Sequence, residues 1–180
     1  GSLALVQNAG GTLTFISAGA SVFRANGVTS KIAQLVTTTK TDTFTMASTT
    51  FTDVTGLSVS ITPTLATSTI YIVFNSVIGA VDGSQALFAR FMRGSTAIGI
   101  GDAASSRIRG TTSMVGDTNE TYSMGASFVD SPATTSATTY KIQIMSNTGS
   151  TVAINRGVTD TDAATRMRGI STITVMEVKV

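Results

Sequence analysis

Apolar and polar residues alternate with a period of two along much of this chain. Leu57, Val59 and Ile61 are interleaved with Ser58, Ser60 and Thr62. Tyr140, Ile142 and Ile144 are interleaved with Lys141 and Gln143, until Met145 breaks the polar side. A period of two places successive side chains on opposite faces of an extended strand, so these segments predict strands with one buried and one wet face. A second kind of strand differs. Ile70-Tyr71-Ile72-Val73-Phe74 is apolar at both parities, and Ile173-Thr174-Val175-Met176, continuing to Val178, is nearly so. Strands of that kind must be covered on both sides.

The pattern predicts strands over Ile32–Thr39, Thr43–Met46, Phe51–Thr62, Thr69–Val81, Gln85–Arg93, Ala97–Ile100, Arg107–Val115, Thr121–Val129, Thr139–Ser146, Thr151–Asn155 and Ile170–Val178. Turn residues separate nearly every pair, among them Asp53-Val54-Thr55-Gly56, Asp82-Gly83, Gly116-Asp117, Ser131-Pro132 and Asn147-Thr148-Gly149. Short strands at this spacing predict an all-β sandwich or barrel, and no segment sustains a helical period. One sheet should face water and the other its neighbours, an inner sheet shared around a three-fold axis. Residues 1–30 read differently. Leu3–Val6 and Leu13–Ile16 flank Asn8-Ala9-Gly10-Gly11, which suits a hairpin, a linker or the end of a fibrous stalk. The expected division is therefore an appendage over 1–30 and a head domain over 31–180. Gly1-Ser2 reads as an expression scar.

Composition narrows the chemistry. Thr and Ser make up about 30% of the 180 residues, which favours extended backbone. There is no His, Cys or Trp. Nucleophile–base catalysis would then rest on carboxylates or lysine alone, so the chain reads as a scaffold that binds or builds. Zinc lacks its usual ligands, and no disulfide is possible. Only 12% of residues are charged, while 42% are hydrophobic and mean hydropathy is +0.29. That is apolar for a monomer and points to surface buried against another subunit. No apolar run approaches the roughly 18 residues of a membrane helix, so no membrane insertion is expected. A net charge of +2, without aromatics interleaved among the basic residues, argues against nucleic acid.

The stretches Phe51–Pro63, Ser68–Phe74, Arg93–Asp102, Phe128–Tyr140 and Ser171–Val178 resemble phage-encoded domains near the ends of tail-fibre and related virion proteins. The strand order is similar to the tumour-necrosis-factor/complement-C1q jelly roll. The resemblance covers residues 31–180 and implies an antiparallel ten-stranded jelly-roll β-sandwich that trimerises through its inner sheet. Ile70–Phe74 and Ile173–Val178 would lie in that inner sheet, with Tyr71, Val73, Met124, Met176 and Val178 as interface residues. Leu57–Ile61 and Tyr140–Ile144 would lie in the outer one. The collagen-like Gly-X-Y stalk of the C1q group is absent upstream. The implied protein is a virion appendage tip that binds a host-surface glycan or protein without covalent chemistry. Residues 1–30 would contact other virion proteins. A purely structural assembly or capsid-decorating module, and a glycan-degrading enzyme, are the alternatives.

Candidate contact residues fall in polar loops, which a rigid sandwich leaves free to vary. They are Asp102 and Ser105, Asp117 and Asn119, and the arginines Arg107, Arg109, Arg156, Arg166 and Arg168. Arg107 and Arg109 would share a face of one strand. Guanidinium forks suit the carboxylate and phosphate groups of an anionic glycan, although solvated or Asp-paired arginines fit the same pattern. Tyr122 is the best candidate for a sugar-stacking aromatic. Most of the Asp residues suit turns. Asp160-Thr161-Asp162 could present oxygens to calcium, though no complete calcium loop surrounds it, and no other cofactor is expected.

Overall fold

The computed structural model describes residues 31–80, 85–116 and 120–180. The chain divides into two units, Gly1–Lys31 and Ile32–Val180, and every strand below belongs to the second. Eleven strands are described: β1 (Ile32–Lys40), β2 (Phe44–Met46), β3 (Thr52–Ile61), β4 (Thr69–Ala80), β5 (Gln85–Arg93), β6 (Thr96–Ile98), β7 (Thr112–Gly116), β8 (Thr121–Asp130), β9 (Thr138–Ser146), β10 (Val152–Ile154) and β11 (Ser171–Val178). All pairings are antiparallel.

Two sheets form. A six-stranded sheet runs β1-β11-β4-β10-β2, with β8 also on β4, and a five-stranded sheet runs β3-β9-β5-β6, with β7 also on β5. The registers explain the branching. β11 pairs with Thr69–Asn75 of β4, and β10 pairs with Ile78–Ala80. These two strands therefore lie end to end along one side of β4. β6 and β7 do the same along β5. Eleven strands thus fill eight rows, four in each sheet, which is a jelly roll. The count exceeds the expected ten because rows are interrupted, not because a row is added.

The interior repeats the two-residue period. Leu57, Val59 and Ile61 of β3 and Tyr140, Ile142 and Ile144 of β9 point inward from the five-stranded sheet. Ile70, Ile72, Phe74, Ile173 and Val175 meet them from the six-stranded sheet. The two strand types seen in the sequence thus fall in different sheets, as expected. Met124, expected at an intersubunit interface, instead points inward and joins the core. Its parity on β8 is that of Ala126 and Phe128, which also pack on the core.

Arg107–Val115 was expected as one strand, but only Thr112–Gly116 is extended into the sheet. Residues 99–111 form a loop. Arg107 N donates to Ala104 O at 3.1 Å in a turn where Ser105 has a φ of 52°. Arg109 Nε donates to Gly101 O at 2.7 Å. Arg107 and Arg109 therefore share no strand face. Local turn bonds in a Ser- and Gly-rich segment outcompete the ladder.

Three buried polar groups tie the rows together. Asp130, 6% exposed, accepts from Tyr140 Oη at 2.7 Å and from Arg93 Nη1 at 2.9 and 3.0 Å. Asp130 lies on the six-stranded sheet and both partners on the five-stranded one, so the cluster bridges the sandwich. Burial, then the Asp130 carboxylate, holds the Tyr140 phenol protonated far above its ordinary range. Glu177 is fully buried at the inward parity of β11. It accepts from Gln34 Nε2 at 2.7 Å, Thr64 N at 2.8 Å and Thr64 Oγ1 at 2.7 Å. Burial would raise the pKa of its carboxyl, but these donors outweigh it and bring the value down to about 2. The third group, Asn155, is treated below.

The Glu177 clamp predicts an acid sensitivity. The folded-state pKa lies below the ordinary 4.5. Its contribution is therefore complete above about pH 4.5 and is lost as pH falls from there towards 2. Denaturant unfolding from pH 7 to pH 2.5 should show this decline. In Glu177→Gln the decline should be shallower, and stability at pH 7 should fall by about 1–3 kcal/mol. Parallel pH profiles for the two proteins would disprove the assignment.

Candidate functional site

The longest excursion from the sandwich among the described residues joins β10 to β11 over residues 156–170. Asn155 begins it. Its φ of 65° is left-handed, a conformation that Asn tolerates better than most residues. Its side chain is fully buried. Nδ2 donates to Lys40 O at 2.9 Å and Asp42 O at 2.8 Å, while Oδ1 accepts from Ser171 Oγ at 2.6 Å. Ser171 Oγ also meets Ser76 Oγ at 2.7 Å. Gly169 N closes the loop by donating to Asn155 O at 2.9 Å. One residue thus fixes where β10 stops, where β11 starts and where the gap between β1 and β2 sits.

The base of the loop lies on the outward face of β4. A Cβ at Gly79 would come within 2.6 Å of Arg156 O, and one at Gly169 within 2.7 Å of a Val77 methyl. Glycine at these two positions lets the loop backbone and the strand approach so closely. Ala153 and Gly79 face outward yet are fully or nearly fully buried, because the loop covers them.

Within the loop the structure brings together five of the sequence candidates: Arg156, Arg166, Arg168, Asp160 and Asp162. They line a cleft of about 220 Å3 with Met167. A neighbouring cleft of about 190 Å3 shares Arg166 and Met167 and reaches Glu120 and Thr121 at the start of β8. Arg156 lies mostly buried, with Nη1 donating to Gly157 O at 2.9 Å and Val158 O at 2.8 Å. Asp160 stands between two cations. Its Oδ1 is 2.6 Å from Arg168 Nη2, and its Oδ2 is 3.8 Å from Arg156 Nε. Asp160, which the sequence offers with Asp162 as a source of oxygens for calcium, here has its carboxylate beside two arginines. Among the described residues no group of three or more acidic side chains could hold a metal ion.

The remaining candidates lie elsewhere. Asp102, Ser105, Arg107 and Arg109 are exposed on the 99–111 loop. That loop is tied to β5 by Thr111 N donating to Ala89 O at 2.8 Å, whereas the 156–170 loop rests on β4 of the other sheet. Tyr122 is half-buried on β8 opposite Ile78. Asp117 and Asn119, like the 1–30 segment, lie outside the described residues. Sequence reasoning missed Asn155, Glu177 and the Asp130 cluster. Glu177 carried one visible signal, an acid at the apolar parity of the strand Ile173–Val178.

A second surface is the uncovered part of the six-stranded sheet. Register places Leu35, Met176, Tyr71 and Val129 side by side across β1, β11, β4 and β8. Leu35 is 56% exposed, Tyr71 37% and Val129 54%, and Met176 is half-buried. The adjoining row is Thr37, Thr174, Val73 and Ser127, and the next is Thr39, Thr172, Asn75 and Gly125. None of these twelve residues is charged.

Neither a protein-family model nor a curated protein matches the chain. Among solved structures, the chain is similar to that of the infectious bursal disease virus Gt strain. The two share 12% identity and a TM-score of 0.47, over 92% of this chain and 41% of that one. It is also similar to the VP2 subviral particle of infectious bursal disease virus, with 15% identity and a TM-score of 0.43, over 92% and 37%. The chain spans about two-fifths of the length of these structures. At TM-scores below 0.5 the likeness carries nothing about ligands or assembly across to this protein.

The Asn155 hub predicts a stability change. Asn155→Ala should lower stability by about 2–4 kcal/mol, because buried partners lose their bonds and a left-handed position receives alanine. Asn155→Gly, which keeps the backbone conformation available, should lose less. Urea midpoints for the two variants measure the difference. An unchanged midpoint for Asn155→Ala would show that the network contributes nothing.

Proposed function

We propose that this chain is a structural building block of a virion, a jelly-roll module that assembles as a homotrimer through the outward face of its six-stranded sheet. The observation that carries the reading is the exposed row Leu35–Met176–Tyr71–Val129, set in a face without charge. Burying the exposed parts of these side chains would contribute roughly 1 kcal/mol each. Absence of charge favours a second copy over an unrelated partner. Side chains close to a symmetry axis meet their own counterparts, so a charge there would face a like charge. The resemblance of the strand and turn motifs to phage virion domains supports the placement in a particle. The buried carboxylates Asp130 and Glu177 are bound up in holding strands together, which supports a non-enzymatic reading. Recognition of a host surface is the second reading, favoured by the arginine-lined cleft at the 156–170 loop.

Light scattering after size exclusion tests the assembly. One chain has a mass of 18.5 kDa, so the expected species is about three times that. Tyr71→Lys should return it to a folded monomer with an unchanged far-ultraviolet spectrum, because Tyr71 points away from the core. A monomeric parent protein at tens of micromolar, or a Tyr71→Lys variant with the parent's mass, would rule the interface out.

A further inference from the structure

We propose that the 156–170 loop is a binding site for a single carboxylate-bearing sugar ring, independent of the assembly face. The cleft is smaller than the roughly 300–1,000 Å3 of sites for drug-sized ligands, and it suits one ring rather than an extended chain. Its chemistry is mixed in the way such a ring requires. Arg166 and Arg168 are exposed at the cleft, and Arg168 carries a planar guanidinium fork, whose geometry matches a carboxylate. Between them in sequence Met167 is 49% exposed and lines both clefts, an apolar surface for the face of a pyranose ring. Thr161 and Asp162 on the wall present oxygens for ring hydroxyls.

The site is also built in advance of any ligand. Arg156 forms part of the lining, with Nη1 fixed on two carbonyls. Its Nε is buried without a hydrogen-bond partner, since 3.8 Å to Asp160 is too long for one. Asp160 holds Arg168 against the cleft in a pair exposed enough to exchange partners at little cost. The loop is clamped at both ends through Asn155 and Gly169, so little ordering is left for binding to oppose. The cleft residues Arg156, Arg166 and Arg168 exceed Asp160 and Asp162 by one positive charge, which favours an anion over a neutral sugar.

Saturation-transfer NMR on the full chain, in whatever oligomeric state it adopts, tests the proposal with sodium glucuronate as probe and glucose and inorganic phosphate as comparators. Glucuronate should give saturable transfer in the millimolar range, glucose none, and phosphate should not displace glucuronate at equal concentration. Arg168→Ala should weaken glucuronate binding at least tenfold. Arg168→Lys, which keeps the charge but loses the fork, should weaken it several-fold. Arg107→Ala, on the other loop, should leave it unchanged. No transfer to glucuronate, equal transfer to glucose, displacement by phosphate or an equal loss in Arg107→Ala would each overturn the assignment. The mass of the same samples reports separately on the trimer, so either idea can fail alone.

Discussion

A sandwich without helices has two outer faces and only its own loops to cover them. Here the outer surface of the five-stranded sheet carries charged and polar side chains beside the buried Met92 and Met145 and the exposed Val115. On it Lys141 and Gln143 Nε2 both bond Asp53, and Arg90 lies 4.1 Å from the Phe51 ring centre. The six-stranded sheet has no comparable charged surface. One end of its outward face, at Val77 and Gly79, is covered by the chain's own 156–170 loop. The other end, at Leu35, Tyr71 and Val129, is bare. Both surfaces of functional interest follow from this division. The loop that covers β4 also forms the arginine cleft, and the part it leaves open is the candidate contact with further copies.

The strands are secured against one another by buried polar groups whose partners are complete. Asp130 joins β8 to β5 and β9 across the core, Glu177 joins β11 to β1 and the chain after β3, and Asn155 joins β10 to the end of β1. Apolar packing supplies most of the stabilisation but is indifferent to register, because a strand shifted by two residues still presents Ile or Val inward. A carboxylate or amide with three fixed hydrogen bonds is not indifferent, since a shift would strand it unbonded in the interior. These groups therefore select one register among several that hydrophobicity alone would allow.

The same logic operates at the surface, with weaker forces. Asp160 in the cleft orders two arginines without neutralising the group as a whole. A shared carboxylate positions Arg156 and Arg168. The pair is open to solvent, so its own energy is small, and its effect is geometric. It narrows the arrangements the guanidinium forks can take before anything binds.

The sequence by itself determined the class of fold, most strand positions and the separation of β4 and β11 from β3 and β9 into different sheets. These follow from a two-residue period that any strand must obey, whatever it packs against. It also picked out the arginines of the 156–168 segment, because residue type and placement in a polar loop are local. Only the tertiary structure decided the rest. Met124 proved to be core, since its side of β8 depends on register with β4. Arg107 and Arg109 left the strand because turn bonds at Ala104 and Gly101 won over a ladder. Asn155 looked ordinary in the sequence, Glu177 showed only as an acid at the apolar parity of its strand, and their side-chain partners lie 16 to 143 residues away. Long-range partners of single polar groups leave no periodic trace, whereas the burial of alternate side chains repeats along every strand.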